Sequence, residues 1–199
     1  MRYYNSLVLL DEGGAVDQLY DKHHLVPFGE YIPFGDLLGR IGLRGMAAQF
    51  GSGFSSGPGA DLMDLGPLGQ ALPLICYEAV YPDFAARLAA QSELLITISN
   101  DSWFGSSIGP LQHLQMAQMR AIEAQRWMIR ATNNGVTALI DPRGSIRQRI
   151  PQFQQEVLIG EVQPMTGLTP YLRWRSWPLV LLATLILMVC VVRRRRDAR

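Results

Sequence analysis

Leu74-Ile75-Cys76-Tyr77-Glu78 is an apolar run that delivers one cysteine into a polar turn. A cysteine so placed acts as a nucleophile only where a nearby charge favours its thiolate. Lys22, in Tyr20-Asp21-Lys22-His23-His24-Leu25-Val26-Pro27-Phe28-Gly29-Glu30-Tyr31, could supply that charge. Glu30 and Glu78 bring carboxylates for proton handling. Each residue also has a plainer use. A lone cysteine is commonly a small buried hydrophobe, and a lysine is commonly a surface cation. Either glutamate could be a structural ion-pair partner. His23, His24 and His113 match no zinc spacing and no acid pairs with them convincingly, so neither a metal nor a cofactor is expected.

These side chains need elements to position them. Tyr4 to Leu10 reads as a strand and Ala15 to Tyr20 as its return, with Gly13-Gly14 permitting a tight turn. Ala71 to Ile75 is a short buried strand ending at Cys76, and Pro82 to Gln91 a helix opened by proline. Leu94 to Ser99 is a second apolar strand, Pro110 to Ile129 a long helix, and Val136 to Ile140 a further strand before the turn Asp141-Pro142-Arg143-Gly144. This alternation predicts an α/β layered fold with apolar sheet strands. Residues 35–70 are rich in Gly, Ser and Pro and read as a long loop. Leu37, Leu38, Ile41, Leu43, Met46 and Phe50 make its first half a short packed helix or a lid that meets lipid.

A chain of 199 residues can hold one domain with a sizeable core, and a net charge of +1 excludes no class but gives no reason to expect nucleic acid. The charge is uneven. Residues 176–192 carry none, Arg193 to Arg196 follow directly, and Trp174 and Trp177 sit where an interfacial belt would lie. At 1.5 Å per residue the uncharged run spans roughly 25 Å, at the short end for a membrane helix. The alternative is a buried C-terminal core helix, against which four consecutive arginines argue. Arginines mark the cytoplasmic end of a span, so residues before Arg173 are expected outside the cytoplasm. Residues 1–19 lack a basic segment followed by an apolar stretch, so a preceding part of the protein is expected. Cys76 and Cys190 form no disulfide framework.

Five ordered motifs carry a resemblance: Asp21 to Pro33 as quoted above with Ile32-Pro33, Ile75-Cys76-Tyr77-Glu78, Ser99-Asn100-Asp101-Ser102-Trp103-Phe104-Gly105, Gly109-Pro110-Leu111-Gln112-His113 and Thr132-Asn133-Asn134-Gly135. Together they resemble the carbon–nitrogen hydrolase (nitrilase) superfamily, and within it the bacterial apolipoprotein N-acyltransferases. The resemblance implies an α-β-β-α sandwich, incomplete at its N-terminal side, followed by one C-terminal transmembrane helix. The expected division is a partial hydrolase domain over 1–163, a linker over 164–175, the span over 176–192 and a basic cytoplasmic tail over 193–199.

The chemistry that the resemblance implies is acyl transfer. Cys76 would attack a phospholipid ester and form a thioester, which the N-terminal amine of a diacylated apolipoprotein then resolves. Lys22 would stabilise thiolate and oxyanion, aided by the backbone N–H of Tyr77, with Glu30 and Glu78 as further required acids. Trp103 and Asn100 would line the substrate site, although a buried tryptophan is more often core. The implied partners are the phospholipid acyl donor, the diacylated acceptor and the lipid bilayer, with the domain periplasmic at the bacterial inner membrane. The superfamily's catalytic glutamate lies on an early strand upstream of this hairpin. Glu12 sits in a turn without that context, so these residues are expected to be inactive alone. Two alternatives stay open: an amidase- or nitrilase-type hydrolase of small amides, and a non-catalytic membrane-anchored binding module.

Overall fold

The computed structural model describes residues 2–33 and 53–197. A hairpin opens the chain, β1 (Ser6–Leu10) pairing antiparallel with β2 (Val16–Asp21). Asp11 Oδ1 accepts from the N–H groups of Gly13 and Ala15, and Gly14 turns at φ 80°, which is why a glycine pair stands there. The expected loop over 35–70 contains a two-residue strand, β3 (Met63–Asp64), and a 3₁₀ turn at Gly66–Leu68. The helix or lid expected from Leu37 to Phe50 lies outside the described residues.

The main sheet has the order β3-β4-β5-β6-β7-β8, with β4 (Gln70–Ile75), β5 (Leu94–Ser99) and β6 (Trp127–Thr132) parallel. Helices α1 (Pro82–Ala89) and α2 (Gly109–Ala124) make the two crossovers. Strands β7 (Thr137–Ile140) and β8 (Ile146–Ile150) then add antiparallel.

Alternation along β4 explains the layering. Leu72 and Leu74 face a core with Phe84 and Ala85 of α1 and Leu114, Ala117 and Ala121 of α2. Ile75 faces the other way, against Tyr20, Leu7 and Leu9 of the hairpin. The hairpin's outer residues Val8, Leu10, Val16 and Leu19 are exposed. The expected α/β architecture and its sheet-on-sheet packing are therefore present.

One expectation fails. The helix expected over Pro110–Ile129 stops at Ala124, and Trp127–Thr132 forms β6 in the centre of the sheet. Gln125 turns left-handed at φ 50°, ψ 49°, and its N–H meets the Ala121 and Ile122 carbonyls. Glycine usually holds this position, so the stop has no sequence signal. Arg126 completes it: its buried guanidinium donates to the carbonyls of Ser92 (2.7 Å) and Gly167 (2.8 Å), binding the break to two other segments.

That second bond also anchors the approach to the C-terminal helix. Met165 N–H donates to the Glu93 carbonyl, Thr169 Oγ1 to the Glu123 carbonyl, and α3 (Pro170–Trp174) buries Leu172 in the helical core. Beyond it α4 (Trp177–Asp197) is long and apolar enough to cross a membrane, and its apolar side chains are exposed along its length.

The left-handed stop generates a stability prediction. Gln125 is exposed, so Gln125→Gly removes Cβ strain without loss of packing. It should stabilise the chain by about 0.5–1 kcal/mol, read as a higher urea midpoint at unchanged slope. A lower midpoint would mean that the Gln125 side chain holds the break.

Candidate active site

Each parallel strand ends in a polar residue on the same edge of the sheet: β4 leads to Cys76, β5 to Asn100-Asp101 and β6 to Asn133. Ligand sites of parallel sheets gather at such carboxyl ends. Cys76 stands at the turn from β4 into the 3₁₀ segment Cys76–Val80, with φ 52°. A non-glycine residue in this region costs of order 1–3 kcal/mol and persists only when its surroundings impose it.

Glu78 imposes it from one side. Its carboxylate is fully buried and accepts from Ile75 N–H (2.8 Å), which closes the turn on itself. It accepts as well from Tyr20 Oη (2.9 Å) and from the N–H groups of His23 (2.8 Å) and His24 (3.1 Å). Burial, and then the Glu78 charge, push the Tyr20 hydroxyl well above its ordinary range, so it stays a donor. Glu78 thus joins the segment after β2 to the cysteine turn.

Lys22 is carried in by that same segment. Its ammonium is fully buried and meets both oxygens of Glu30, at 2.8 and 2.7 Å. Glu30 is held in turn by Asn5 Nδ2 (3.1 Å) and Val26 N–H (2.8 Å). The loop between them is tight: Val26 carbonyl accepts from Glu30 N–H (2.8 Å) and Phe28 turns at φ 62°. A Cβ at Gly29 would press on the Val26 side chain at 3.1 Å, which favours glycine there.

The far wall holds a third buried acid. Asp101 accepts from Ser99 Oγ (2.6 Å) and Arg130 Nη2 (2.8 Å), and its Oδ1 lies 3.0 Å from His113 Nδ1. Burial alone would raise its carboxyl; bonds from His113 and Ser99 and the Arg130 charge outweigh that and hold it below the ordinary range. His113 Nε2 lies 3.0 Å from the Cys76 carbonyl oxygen. The sequence expectation that no acid pairs with a histidine is corrected here, since 12 residues separate partners that the β5–α2 connection folds together. Arg130 and Asp101 were not among the residues expected in the site. The signals for them were the polar run after Ser99 and a charged residue directly after the apolar Trp127-Met128-Ile129. Gly135 belongs to this wall too, because a Cβ there would overlap the Asp101 carboxylate.

Two cavities meet at Cys76, and Glu30, Asn100 and Trp103 line both. One, of about 460 Å³, is walled by apolar groups including Val26, Pro27, Phe28, Tyr77, Val80 and Met116. The other, of about 410 Å³, presents Asn5, Ser99, Thr132 and Asn133. Trp103 is 56% exposed, a cavity wall and not a core residue. Asn100 caps the 3₁₀ segment Asp101–Phe104 by accepting from Ser102 N–H, and accepts from Asn133 Nδ2 at 2.6 Å. The Tyr77 ring stacks edge-on to Tyr81, 4.9 Å between centroids. Glu12 is exposed in the hairpin turn and takes no part. Among the described residues no cluster of His, Cys, Asp or Glu has the form of a metal site.

The chain is 61% identical over 200 residues to an apolipoprotein N-acyltransferase of Azotobacter vinelandii, covering 98% of this chain and 37% of that protein. It is 58% identical to one from Pseudomonas aeruginosa PAO1 (98% and 37%) and 41% identical to one from Photobacterium profundum (100% and 40%). The chain thus spans well under half of the curated relatives it matches. Among solved structures, Saccharomyces cerevisiae Nit3 of the nitrilase superfamily superposes with a TM-score of 0.57 at 21% identity, covering 76% of this chain and 51% of that one. The C. elegans NitFhit protein gives 0.56 at 20% identity, covering 76% and 36%. The carbon-nitrogen hydrolase family model matches residues 1–171. On that match and the fold it shares with those structures, the chain belongs to the carbon–nitrogen hydrolase family.

Proposed function

We propose that this chain carries the nucleophile of an apolipoprotein N-acyltransferase and works as part of a longer protein. The observation that carries the reading is the position of Cys76, on a strained turn between the Lys22–Glu30 pair and an apolar cavity. In the proposed reaction the Cys76 thiolate attacks the ester carbonyl of a phospholipid, the C–O bond breaks, and the lysolipid leaves with a proton. The acyl chain stays on Cys76 as a thioester, seated in the apolar cavity. The α-amine of a diacylglyceryl-cysteine then attacks the thioester, gives up a proton and takes the acyl group as an amide, which returns the thiol. Lys22 and the Tyr77 N–H stabilise the oxyanion in both steps. Trp103 and Asn100 border the substrate where the two cavities meet.

A proton acceptor is still needed. Glu30 is committed to Lys22, and Glu78 to the donors around the turn. The base is therefore assigned to a part of the protein outside residues 1–199, in keeping with relatives more than twice as long. An amidase acting on small polar amides accounts less well for an apolar wall beside the nucleophile, and a binding module has no use for a strained Cys76 that shares its cavities with Glu30 of the buried Lys22–Glu30 pair. Helix α4 serves in this reading as a membrane span, with Arg193 to Arg196 at the cytoplasmic face and residues 1–163 in the periplasm.

In the intact protein, Cys76→Ser should abolish N-acylation of a diacylated lipopeptide and the acyl-enzyme seen by mass spectrometry, while Cys190→Ser leaves both in place. Lys22→Met should lower turnover by about 10²–10³-fold, the usual loss for one oxyanion donor. Transfer by the Cys76 variant would reject the nucleophile. A reporter fused after Arg199 should be active in the cytoplasm and not in the periplasm. The reverse would place Cys76 on the wrong side of the membrane for its acceptor.

A further inference from the structure

The cluster behind the cysteine turn has no task in that reaction. His113 is 3% exposed, with Asp101 and Arg130 buried beside it, and it lines the apolar cavity together with Cys76 and Glu30. The two ring nitrogens of His113 each face an oxygen at 3.0 Å: Nδ1 the Asp101 carboxylate, Nε2 the Cys76 carbonyl. A carbonyl oxygen only accepts, and an ionised carboxylate only accepts. A neutral imidazole has one N–H, so one nitrogen would set a lone pair against an oxygen. The other donor near Nδ1, Arg130 Nη2, is 3.4 Å away and already donates to Asp101 Oδ2 at 2.8 Å.

Charge accounting leads to the same state. Among the described residues the buried carboxylates bonded into this site are Glu30, Glu78 and Asp101 and the buried permanent cations are Lys22 and Arg130, while Arg120, also buried, is neutralised by its own pair with Glu123. A second proton on His113 makes three of each sign. The other titratable groups of α2 are Arg120, which is turned to the Val80 carbonyl and Glu123, and Glu123 itself. The Phe104 ring, 5.9 Å away between centroids, covers the imidazole on another side.

We propose that His113 is a positioning residue for the Cys76 nucleophile: a doubly protonated imidazolium that donates from Nδ1 to Asp101 and from Nε2 to the Cys76 carbonyl, clamping the turn in its left-handed form. The inference rests on the reading of Cys76 as nucleophile. Glu78 closes the turn from the front through Ile75 N–H, and His113 holds its carbonyl from behind. With both in place Cys76 cannot relax toward ordinary φ, and it stays where the two cavities meet. Asp101 fixes the ring plane, and Arg130 and Ser99 fix Asp101. The imidazolium also adds positive charge behind the sulfur, which attracts a thiolate.

The test uses the full 199-residue chain, ¹⁵N-labelled at histidine, in lipid nanodiscs. One-bond proton–nitrogen correlations at pH 7 should give two N–H signals for His113; one N–H with one bare nitrogen overturns the imidazolium. Asp101→Asn should remove one of the two signals. In parallel, iodoacetamide labelling at pH 7 is followed at each cysteine by mass spectrometry. Cys76 should react faster than Cys190, and His113→Phe should slow Cys76 about ten-fold or more. His113→Gln, which keeps a donor for the Cys76 carbonyl, should recover part of that rate. Cys76 no faster than Cys190 in the unaltered chain sinks the acyl-transfer reading together with this one. A fast Cys76 that is indifferent to His113→Phe, or a Gln variant as slow as Phe, overturns the positioning role alone.

Discussion

A carboxylate buried at Glu78 with no ion-pair partner among the described residues is the constraint on which the site depends. Transferring an ionised carboxylate out of water is prohibitive unless donors replace its hydration. Here four donors do so: the Tyr20 hydroxyl and the N–H groups of His23, His24 and Ile75. Bonds to a charged acceptor are each worth about 1.5–3 kcal/mol, roughly twice a neutral one. Three of the four donors come from β2 and the segment that follows it, and the fourth from the end of β4. Satisfying one charge therefore joins the hairpin to the main sheet, and with it the segment that carries Lys22 to the turn that carries Cys76. Residues 22 and 76 are far apart in sequence, and Glu78 is the point at which the fold measures their separation.

The rest of the site repeats that logic. Lys22 is buried, so it needs an acid, and Glu30 supplies both oxygens from a loop only eight residues away. Asp101 is buried, so it needs cations, and β6 and α2 bring Arg130 and His113. Each charge removed from water is answered by a partner from a different element. Losing one partner leaves an uncompensated buried charge, which is far more damaging than losing a surface pair. The apolar cavity beside this polar wall intensifies every interaction in it, because the low local dielectric strengthens paired charges and penalises unpaired ones. A thiol placed at the border of the two cavities meets both environments at once, which suits the proposed attack on a lipid ester.

What could be read from the amino-acid order was the local chemistry. The apolar run into Cys76, the glycine turn of the hairpin, the strand Leu94 to Ser99 and the uncharged stretch before Arg193 are all periodicity or composition, and each stands in the structure where it was expected. Lys22, Glu30, Cys76 and Glu78 were picked out by type and by their short-range motifs, and the fold brings the four together. Nothing local marked the end of α2. Gln125 is an unremarkable helix residue, and only the pull of Arg126 toward Ser92 and Gly167, with β6 needed at the centre of the sheet, explains why the helix stops there. Tertiary demand overrode propensity at that point.

The sequence by itself determined which residues could do chemistry and how the chain alternates between strand and helix, because side-chain type and hydrophobic period act within a few residues. Tertiary structure alone decided the partners. That Glu78 would gather donors from β2, that Asp101 would meet Arg130 across 29 residues, and that His113 would reach the Cys76 carbonyl across 37 were fixed by sheet register and crossover packing. The physical reason is that buried charge must be neutralised by whatever lies nearest in space, and nearness in space is set by the whole sheet.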